Sequence, residues 1–386
     1  MTQTGPFQGV RILDLSTMIA APWAAGILAD QGAEVIKVEE PSRGDAMRHV
    51  GHRAGDVSAP FFMANRGKRG LALDLREPRG RDALLRLAAT ADVLLHNSRP
   101  GVMERLGLGY DDVRKVREDI IYVSVTGFGD KGPLARKAAY DPIMQAFAGM
   151  ASAQGLAGGE PALIRSIVSD KVTALMTAQA ISAALYACKD GRGGQQVQVS
   201  MLAATAAFQW VELAGADAFV SPEVAPAPSP VERYRLYRFA DGWAAVSAAA
   251  DAAWLAMMRA FGVAEAENPR LQTFAGRMQN AEAAKHAMAA FQVRIAATPL
   301  AEGIARLEAM DVPCAPVQSL AELAAHPGVA EAEVFVETDD PVVGRVRQVR
   351  PPARFSATPA AVAGPAPRLG EHTAEVLAEI GLDGSL

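Results

Sequence analysis

The sequence predicts an α/β protein in which a large unit with a parallel β-sheet is joined to a smaller α+β unit. Three observations support this fold class. Strand-like runs alternate with helical patterns through residues 10–200, a proline-rich segment follows at 221–231, and a hairpin pattern with further helical patterns comes after it. Strands that alternate with helices form parallel sheets that are covered by helices on both faces.

The spacing of apolar residues defines the elements of the large unit. Pro22 lies near the first turn of the first helix and Gly32 just past its end, which is the usual asymmetry of helix termini. Ligands of such sheets bind beyond the carboxyl ends of the strands. The strand-like runs lie at 10–16, 33–40, 71–75, 92–97, 120–126 and within 190–201, and the helical patterns at 21–32, 78–91, 171–189 and 201–217.

The second unit begins after the proline-rich segment 221–231, which is the best domain boundary in the chain. Residues 234–249 read as a hairpin with Asp241-Gly242 at its turn. We therefore expect 1–220 to form one part of the large unit and 232–330 the small unit. Helical patterns follow at 251–262, 280–297 and 300–310, and a second proline-rich region at 351–367 precedes a final helix at 370–382.

Composition excludes several classes of protein. Of 386 residues, 50% are hydrophobic and 21% charged, as in a globular protein. The net charge of -5 argues against a nucleic-acid partner. Cys188 and Cys314 are the two cysteines, and no CxxC spacing occurs, so we expect neither a disulfide framework nor a metal site. The start of the chain lacks a signal-peptide pattern and no apolar stretch reaches membrane length, so we expect a cytoplasmic location and no membrane contact.

Two motifs admit a ligand-binding interpretation. "GFGDKG" at 127–132 matches a dinucleotide fingerprint, but that motif must open a helix, and here Pro133 follows. A glycine-rich turn is therefore favoured over a nicotinamide site. A basic cluster around the third strand fits either the phosphates of a ligand or an exposed basic edge. It consists of Arg66, Lys68, Arg69, Arg76, Arg79 and Arg81.

Asp170 lies where an apolar, strand-like run gives way to a helix rich in small residues. An N-cap explains an aspartate at such a place, because its charge suits the positive end of the helix dipole. The hydrolase motifs GxSxG and HExxH are absent, and the six histidines show no metal-ligand spacing. Their absence favours a carboxylate nucleophile, which needs no neighbouring histidine.

Several segments, all in one order, resemble the family III CoA-transferases, the superfamily of formyl-CoA transferase, carnitine CoA-transferase and α-methylacyl-CoA racemase. They are "GVRILDLS", "AAPWAAGILADQGAEVIKVEEPSRGDAMR", "NRGKRGLALDL", "HNSRPGVMERLGLGYDDV", "VSVTGFGDKGP", "YDPIMQA" and "PRLGEHTAEVLAEIGL". The resemblance implies a large Rossmann-like domain, with a parallel sheet, built from both chain ends. A small domain would be inserted between long linkers, 331–386 would return to the large domain, and two chains would interlock as a homodimer.

The resemblance also implies a function and a set of site residues. The enzyme would move coenzyme A from an acyl-CoA donor to a small carboxylic acid through a covalent intermediate on Asp170, without a metal. Tyr140 and Asp141 match a family pair beside the reacting centre. The residues that match CoA contacts of the family are Arg48, Leu73, Arg76, Asn97, Ser98, Arg105 and Lys137.

An α-methylacyl-CoA racemase remains the alternative, because these enzymes share the resemblance. They need two acid–base groups and place a histidine directly before the acid of the "YDPI"-like motif. This chain has Tyr140 at that position, and a phenol is a poor base near neutral pH. A non-catalytic CoA-binding protein is a third reading, and the retained Asp170 argues against it.

Overall fold

The computed structural model describes residues 5–155, 159–221 and 234–383. They form two compact units. The large unit comprises residues up to 218 together with those from 331 onward, and the small unit comprises 219–330. Apart from Ser221, the predicted linker at 221–231 lies outside the described residues.

A six-stranded parallel sheet forms the centre of the large unit. Up to residue 200 the strands are β1 (Arg11–Asp14), β2 (Glu34–Glu39), β3 (Arg53–Ala54), β4 (Val57–Ser58), β5 (Arg69–Ala72), β6 (Val93–His96), β7 (Ile121–Thr126) and β8 (Gln195–Ser200). The sheet has the order β5-β2-β1-β6-β7-β8, and all neighbours in it are parallel. The short β3 and β4 pair with each other. From β1 the next strands, β2 and β5, are added toward one edge of the sheet. The later strands β6, β7 and β8 are added toward the other edge, so the strand order reverses between β1 and β6.

Helices cover both faces of this sheet. They are α1 (Ala20–Asp30), α2 (Ala59–Asn65), α3 (Pro78–Ala88), α4 (Val102–Arg105), α5 (Tyr110–Arg114), α6 (Asp141–Phe147), α7 (Met150–Gln154), α8 (Val168–Ala187) and α9 (Met201–Leu213). Ile12 of β1 faces α1 and α8, whereas Leu13 faces α3, as the alternation along a strand requires. Ala24 and Ala174, fully buried between α1 and α8, let these two helices pack closely.

The small unit combines a three-stranded antiparallel sheet with helices. Its strand order is β11-β10-β9, and Asp241 and Gly242 lie in the turn between β9 and β10. The aromatic rings of Phe239, Phe261 and Phe291 form its core. The elements are β9 (Leu236–Arg238), β10 (Trp243–Val246), α10 (Asp251–Ala260), α11 (Phe274–Gln279), α12 (Ala281–Ala296), α13 (Leu300–Glu308), β11 (Cys314–Pro316), α14 (Leu320–Ala325) and α15 (Pro327–Glu331).

The C-terminal segment joins the large unit without adding a strand to the parallel sheet. Its elements are β12 (Phe335–Asp340), β13 (Gly344–Val349) and α16 (Thr373–Ala378), and β12 pairs with β13. At the edge strand β5, the N–H groups of Gly70 and Ala72 donate to His372 Nδ1 at 3.1 Å and Thr373 Oγ1 at 3.0 Å. The N–H of His372 also donates to the carbonyl oxygen of Gly70 at 2.8 Å, so two side chains and one main-chain bond satisfy this edge. The C-terminal segment therefore belongs to the large unit, although none of its described residues forms a strand of the parallel sheet.

The parallel sheet and the predicted hairpin of the small unit are confirmed. The predicted strand at 71–75 is shifted and occupies Arg69–Ala72, and the final helix covers only Thr373–Ala378. Within the described residues, no helix combines the length and hydrophobicity needed to cross a membrane.

Buried charges fix the loop that follows β1. Lys68 Nζ lies 2.7 Å from a carboxylate oxygen of Asp14, Lys37 Nζ lies 3.0 Å from Asp45, and all four side chains are fully buried. Burial lowers the pKa of Lys68 to about 8, although Asp14 opposes this shift. The two carboxylates accept hydrogen bonds from backbone N–H groups of the loop 16–18. Removing one partner of a buried ion pair lowers the free energy of unfolding by about 3–5 kcal/mol, so these pairs hold the loop strongly.

Candidate active site

Asn97 and Ser98 lie where the strand order reverses. Asn97 directly follows β6 and binds the loop after β1: Thr17 N–H donates to Asn97 Oδ1 at 2.9 Å, and Asn97 Nδ2 donates to Thr17 O at 2.7 Å. The N–H of Ser98 donates to Nδ1 of His96 at 3.3 Å. Burial lowers the pKa of His96 to about 4, so its ring is neutral near pH 7. The crevice at such a reversal is where open α/β sheets bind ligands.

Asp170 is the third residue of α8 and does not cap that helix. The N-cap is Ile167, whose side chain has no acceptor atom, and the described residues 159–166 before it form no strand. The N–H of Asp170 donates instead to Oδ1 of Asp141, the first residue of α6, at 3.0 Å. The structure therefore corrects the interpretation of Asp170 as an N-cap, because Asp141 serves as the cap from a neighbouring helix. It also brings Asp141 and Asp170 together, as the resemblance implies.

The environment of Asp170 opposes its negative charge. Burial raises the pKa of this half-buried carboxyl to about 7, and the nearby charge of Asp141 acts in the same direction. Near neutral pH Asp170 therefore holds its proton far more readily than an ordinary aspartate. A carboxylate with a raised pKa is more basic than an ordinary one, and such perturbed groups concentrate at functional sites.

Gln145 belongs to this site but was missed in the sequence analysis. It lies one turn beyond Asp141 on α6, is 1% exposed, and donates from Nε2 to Asp141 Oδ2 at 2.7 Å. The one available signal is the four-residue spacing, which places both side chains on the same helix face. That spacing does not reveal that the pair is buried against the start of α8.

Tyr140 and Lys137 precede the same helix and are exposed. Tyr140 occupies the N-cap position of α6 and is 61% exposed. Lys137 Nζ lies 5.0 Å from the ring centroid of Phe147 and 5.4 Å from that of Phe128. A cation on an aromatic face gains about 0.5–1 kcal/mol at an exposed site, so Lys137 is lightly held and open to a ligand.

Arg48 and Leu73 lie inside the large unit. Arg48 is 2% exposed, its guanidinium donates to both carboxylate oxygens of Glu39 at 2.9 and 2.6 Å, and it stacks on the ring of Phe61. Leu73 is 3% exposed in the core beneath α3. These contacts are those of structural residues, and the predicted CoA contacts of this pair stay predictions.

Arg76 and Arg105 are both exposed. Arg76 donates to Asp74 at 2.9 and 2.7 Å, whereas Arg105, at the end of α4, forms no ion pair within the described part of the chain. Cations at such positions cost little to redirect toward a phosphate, because exposed ion pairs contribute about 0–1 kcal/mol. Their predicted contacts with CoA stay predictions.

The basic cluster does not form one phosphate-binding patch. Arg66 is paired with Asp30, Lys68 is buried against Asp14, and Arg69 binds Glu34 and two further glutamates. These three side chains are buried or part-buried in ion pairs, so neither an exposed basic edge nor a shared phosphate site describes them. The "GFGDKG" motif is followed by turns and bends up to residue 140 rather than by a helix, so it lacks the geometry of a dinucleotide fingerprint. No cluster able to hold a metal occurs among residues 5–155, 159–221 and 234–383.

Comparison with known proteins decides the family. The sequence profile of CoA-transferase family III matches residues 7–373. The chain belongs to CoA-transferase family III. Because relatives named as CoA-transferases match almost its whole length, it is an enzyme of this class.

This family III chain is similar to named CoA-transferases and to a protein of known crystal structure. The succinate–glutarate CoA-transferase of Agrobacterium fabrum is 32% identical over 97% of this chain and 96% of that protein. The succinyl-CoA:glutarate CoA-transferase of Mus musculus is 30% identical over 97% and 86%. The crystal structure of Rv3272 from M. tuberculosis has a TM-score of 0.83 and 30% identity, covering 97% of this chain and 99% of the other.

The Asp141 charge should be visible in the pH dependence of the transferase. Asp141→Asn keeps an oxygen for the N–H of Asp170 but removes a negative charge that raises the pKa of Asp170. That pKa should fall, so the acid limb of kcat/KM against pH should move to lower pH. Asp111→Asn, which alters an exposed acid in the first turn of α5, should leave the limb unmoved. An unchanged limb in Asp141→Asn would show that Asp141 does not act on the reacting group.

Proposed function

We propose that the enzyme transfers coenzyme A from an acyl-CoA to a carboxylic acid through a covalent intermediate on Asp170. The observation that carries this proposal is the half-buried Asp170 carboxyl, whose pKa is raised to about 7 and whose backbone is held by Asp141. A nucleophile needs both a basic oxygen and a fixed position.

In the first half of the reaction, an oxygen of ionised Asp170 attacks the thioester carbonyl carbon. The C–S bond breaks, CoA leaves as a thiolate, and a mixed anhydride joins the acyl group to Asp170. The thiolate then attacks the Asp170 carbonyl carbon of the anhydride. The bond between this Asp170 carbon and the bridging oxygen breaks. The donor leaves as a carboxylate with the bridging oxygen, and CoA remains on Asp170 as a thioester.

The second half repeats these steps with the acceptor acid. Its carboxylate attacks the aspartyl thioester and expels CoA thiolate, and the thiolate attacks the acceptor carbonyl carbon of the new anhydride. The acceptor leaves as acyl-CoA and Asp170 returns as a carboxylate. No proton or electron is gained or lost over the cycle, so it balances without an oxidant or a reductant.

The start of α8 suits this chemistry. The dipole of a 20-residue helix favours the negative charge that develops on each carbonyl oxygen. The N–H of Asp170 itself is committed to Asp141. We therefore assign oxyanion stabilisation to the dipole of α8 rather than to this N–H. Tyr140, at the start of α6, is the exposed hydroxyl we place beside the reacting carbonyl.

We place the CoA moiety along exposed and half-buried residues of the large unit. Asn97 and Ser98 at the strand-order reversal would border the pantetheine arm, and Arg76, Arg105 and Lys137 would bind the charged end. The short dicarboxylic acids in the names of the Agrobacterium and mouse relatives are the acceptors we propose. We further propose a cytoplasmic homodimer, which light scattering of the purified enzyme would test against a monomer.

Trapping of the intermediate tests the proposal. After incubation with acyl-CoA, borohydride should reduce the Asp170 side chain to an alcohol, which peptide mass mapping detects. Asp170→Asn should show no reduction and lose roughly 10³-fold or more in kcat. Asp111→Asn is the matched control and should behave as the wild type. Full activity of Asp170→Asn would remove the mechanism, and solvent deuterium at the α-carbon of a branched acyl-CoA would favour a racemase.

The CoA contact of Arg105 has its own test. Arg105→Ala should raise the dissociation constant of CoA about 10-fold, because it removes a charge-assisted contact worth roughly 1.5 kcal/mol. Isothermal titration measures this, with Arg114→Ala, another exposed arginine at the end of a helix, as the control. If Arg105→Ala and Arg114→Ala have the same dissociation constant for CoA, Arg105 does not contact CoA.

A further inference from the structure

We propose that Gln145 is a positioning residue of the transfer reaction, which ties Asp141 to the segment before α8 and thereby fixes Asp170. The proposal rests on the proposed role of Asp170 as nucleophile. Gln145 was not expected from the sequence, and its side chain is not placed against substrate. Gln145 acts on Asp170 through two features: Asp141, which caps α8, and the segment before α8.

The amide of Gln145 is fully used inside the protein. Its Nε2 donates to Asp141 Oδ2 at 2.7 Å and to the carbonyl oxygen of Ser166 at 3.0 Å. The carbonyl oxygen of Ile164 lies 3.3 Å from the same nitrogen. Its Oε1 accepts from the N–H of Ile164 at 2.9 Å. A glutamine has two donors and one carbonyl acceptor on its side chain, and all of them are engaged while the side chain is 1% exposed.

The segment before α8 depends on these bonds. Residues 160–167 form neither helix nor strand, so their backbone groups lack the partners that regular structure provides. Gln145 supplies partners for three of these groups, on Ile164 and Ser166. Asp170 comes four residues after Ser166, so this anchorage sets where α8 begins and where the Asp170 carboxylate lies.

Asp141 depends on Gln145 as well. One oxygen of Asp141 accepts the N–H of Asp170, and the other accepts from Gln145. Without the second bond, the carboxylate is free to rotate away from α8. The helix start would then lose its cap and Asp170 would lose the neighbouring negative charge. Lys171, the adjacent cation on α8, donates to Ser166 Oγ at 2.9 Å, so it is held on the same anchored segment.

Gln145→Met tests this role, because methionine keeps the length of the side chain but cannot hydrogen-bond as an amide. We expect kcat to fall about 100-fold, since small displacements of a reacting group cost this much, with the KM for acyl-CoA changed less than threefold. The acid limb of the pH profile should move to lower pH, as the Asp141 charge leaves Asp170. Gln209→Met is the matched control: Gln209 is a buried glutamine of α9 that donates to the carbonyl of Ala148 just after α6.

The outcomes separate this inference from the proposed function. If Gln145→Met matches Gln209→Met in kcat and pH profile while Asp170→Asn is inactive, the positioning role is wrong and the nucleophile stands. If Asp170→Asn is active, the proposed function fails first. Should Gln145→Met not fold, Gln145→Asn replaces it, because asparagine withdraws the amide by one methylene from Ser166. The same loss of kcat and the same shift of the acid limb are expected there, and a wild-type profile overturns the inference.

Discussion

The hydrogen bond from the N–H of Asp170 to the carboxylate of Asp141 is the contact on which the site depends. It joins the starts of α6 and α8, two helices that are separated along the chain by α7 and the segment before α8. It caps a helix whose own N-cap residue, Ile167, has no side-chain acceptor. The same contact places a second negative charge beside the Asp170 carboxyl, so it fixes the position of the proposed nucleophile and adds to the rise in pKa that burial causes.

Magnitudes show which effect controls the charge of Asp170. A helix N-terminus stabilises a carboxylate by about 0.3–1 kcal/mol, which alone would lower its pKa. The pKa is instead raised to about 7, and at about 1.4 kcal/mol per pH unit this requires several kcal/mol. Burial and Asp141 therefore outweigh the dipole. The dipole remains available where it is needed, at the oxyanion that forms when the charge leaves Asp170 for the carbonyl oxygen.

Apolar periodicity was sufficient to predict the parallel sheet and the hairpin around Asp241 and Gly242, because both patterns are local. Partners across the chain were not predictable in this way. In the sequence Lys68 belongs to a basic cluster that fits either a phosphate site or an exposed edge, but its ammonium is buried against Asp14. The C-terminal segment satisfies an edge strand through the side chains of His372 and Thr373 and one main-chain bond, without forming a further strand. For the site, family resemblance indicated Asp141 and Asp170, whereas the role of Gln145 depends on packing that spacing does not encode.

The most direct measurement of the central claim follows an oxygen atom. An acceptor acid labelled with ¹⁸O in its carboxylate would be turned over once with acyl-CoA, and the peptide containing Asp170 would then be weighed. In the proposed cycle the bridging oxygen of the second anhydride comes from the acceptor and stays on Asp170, so this peptide should gain one labelled atom. Formation of the acceptor CoA ester without label in Asp170 would contradict the covalent mechanism.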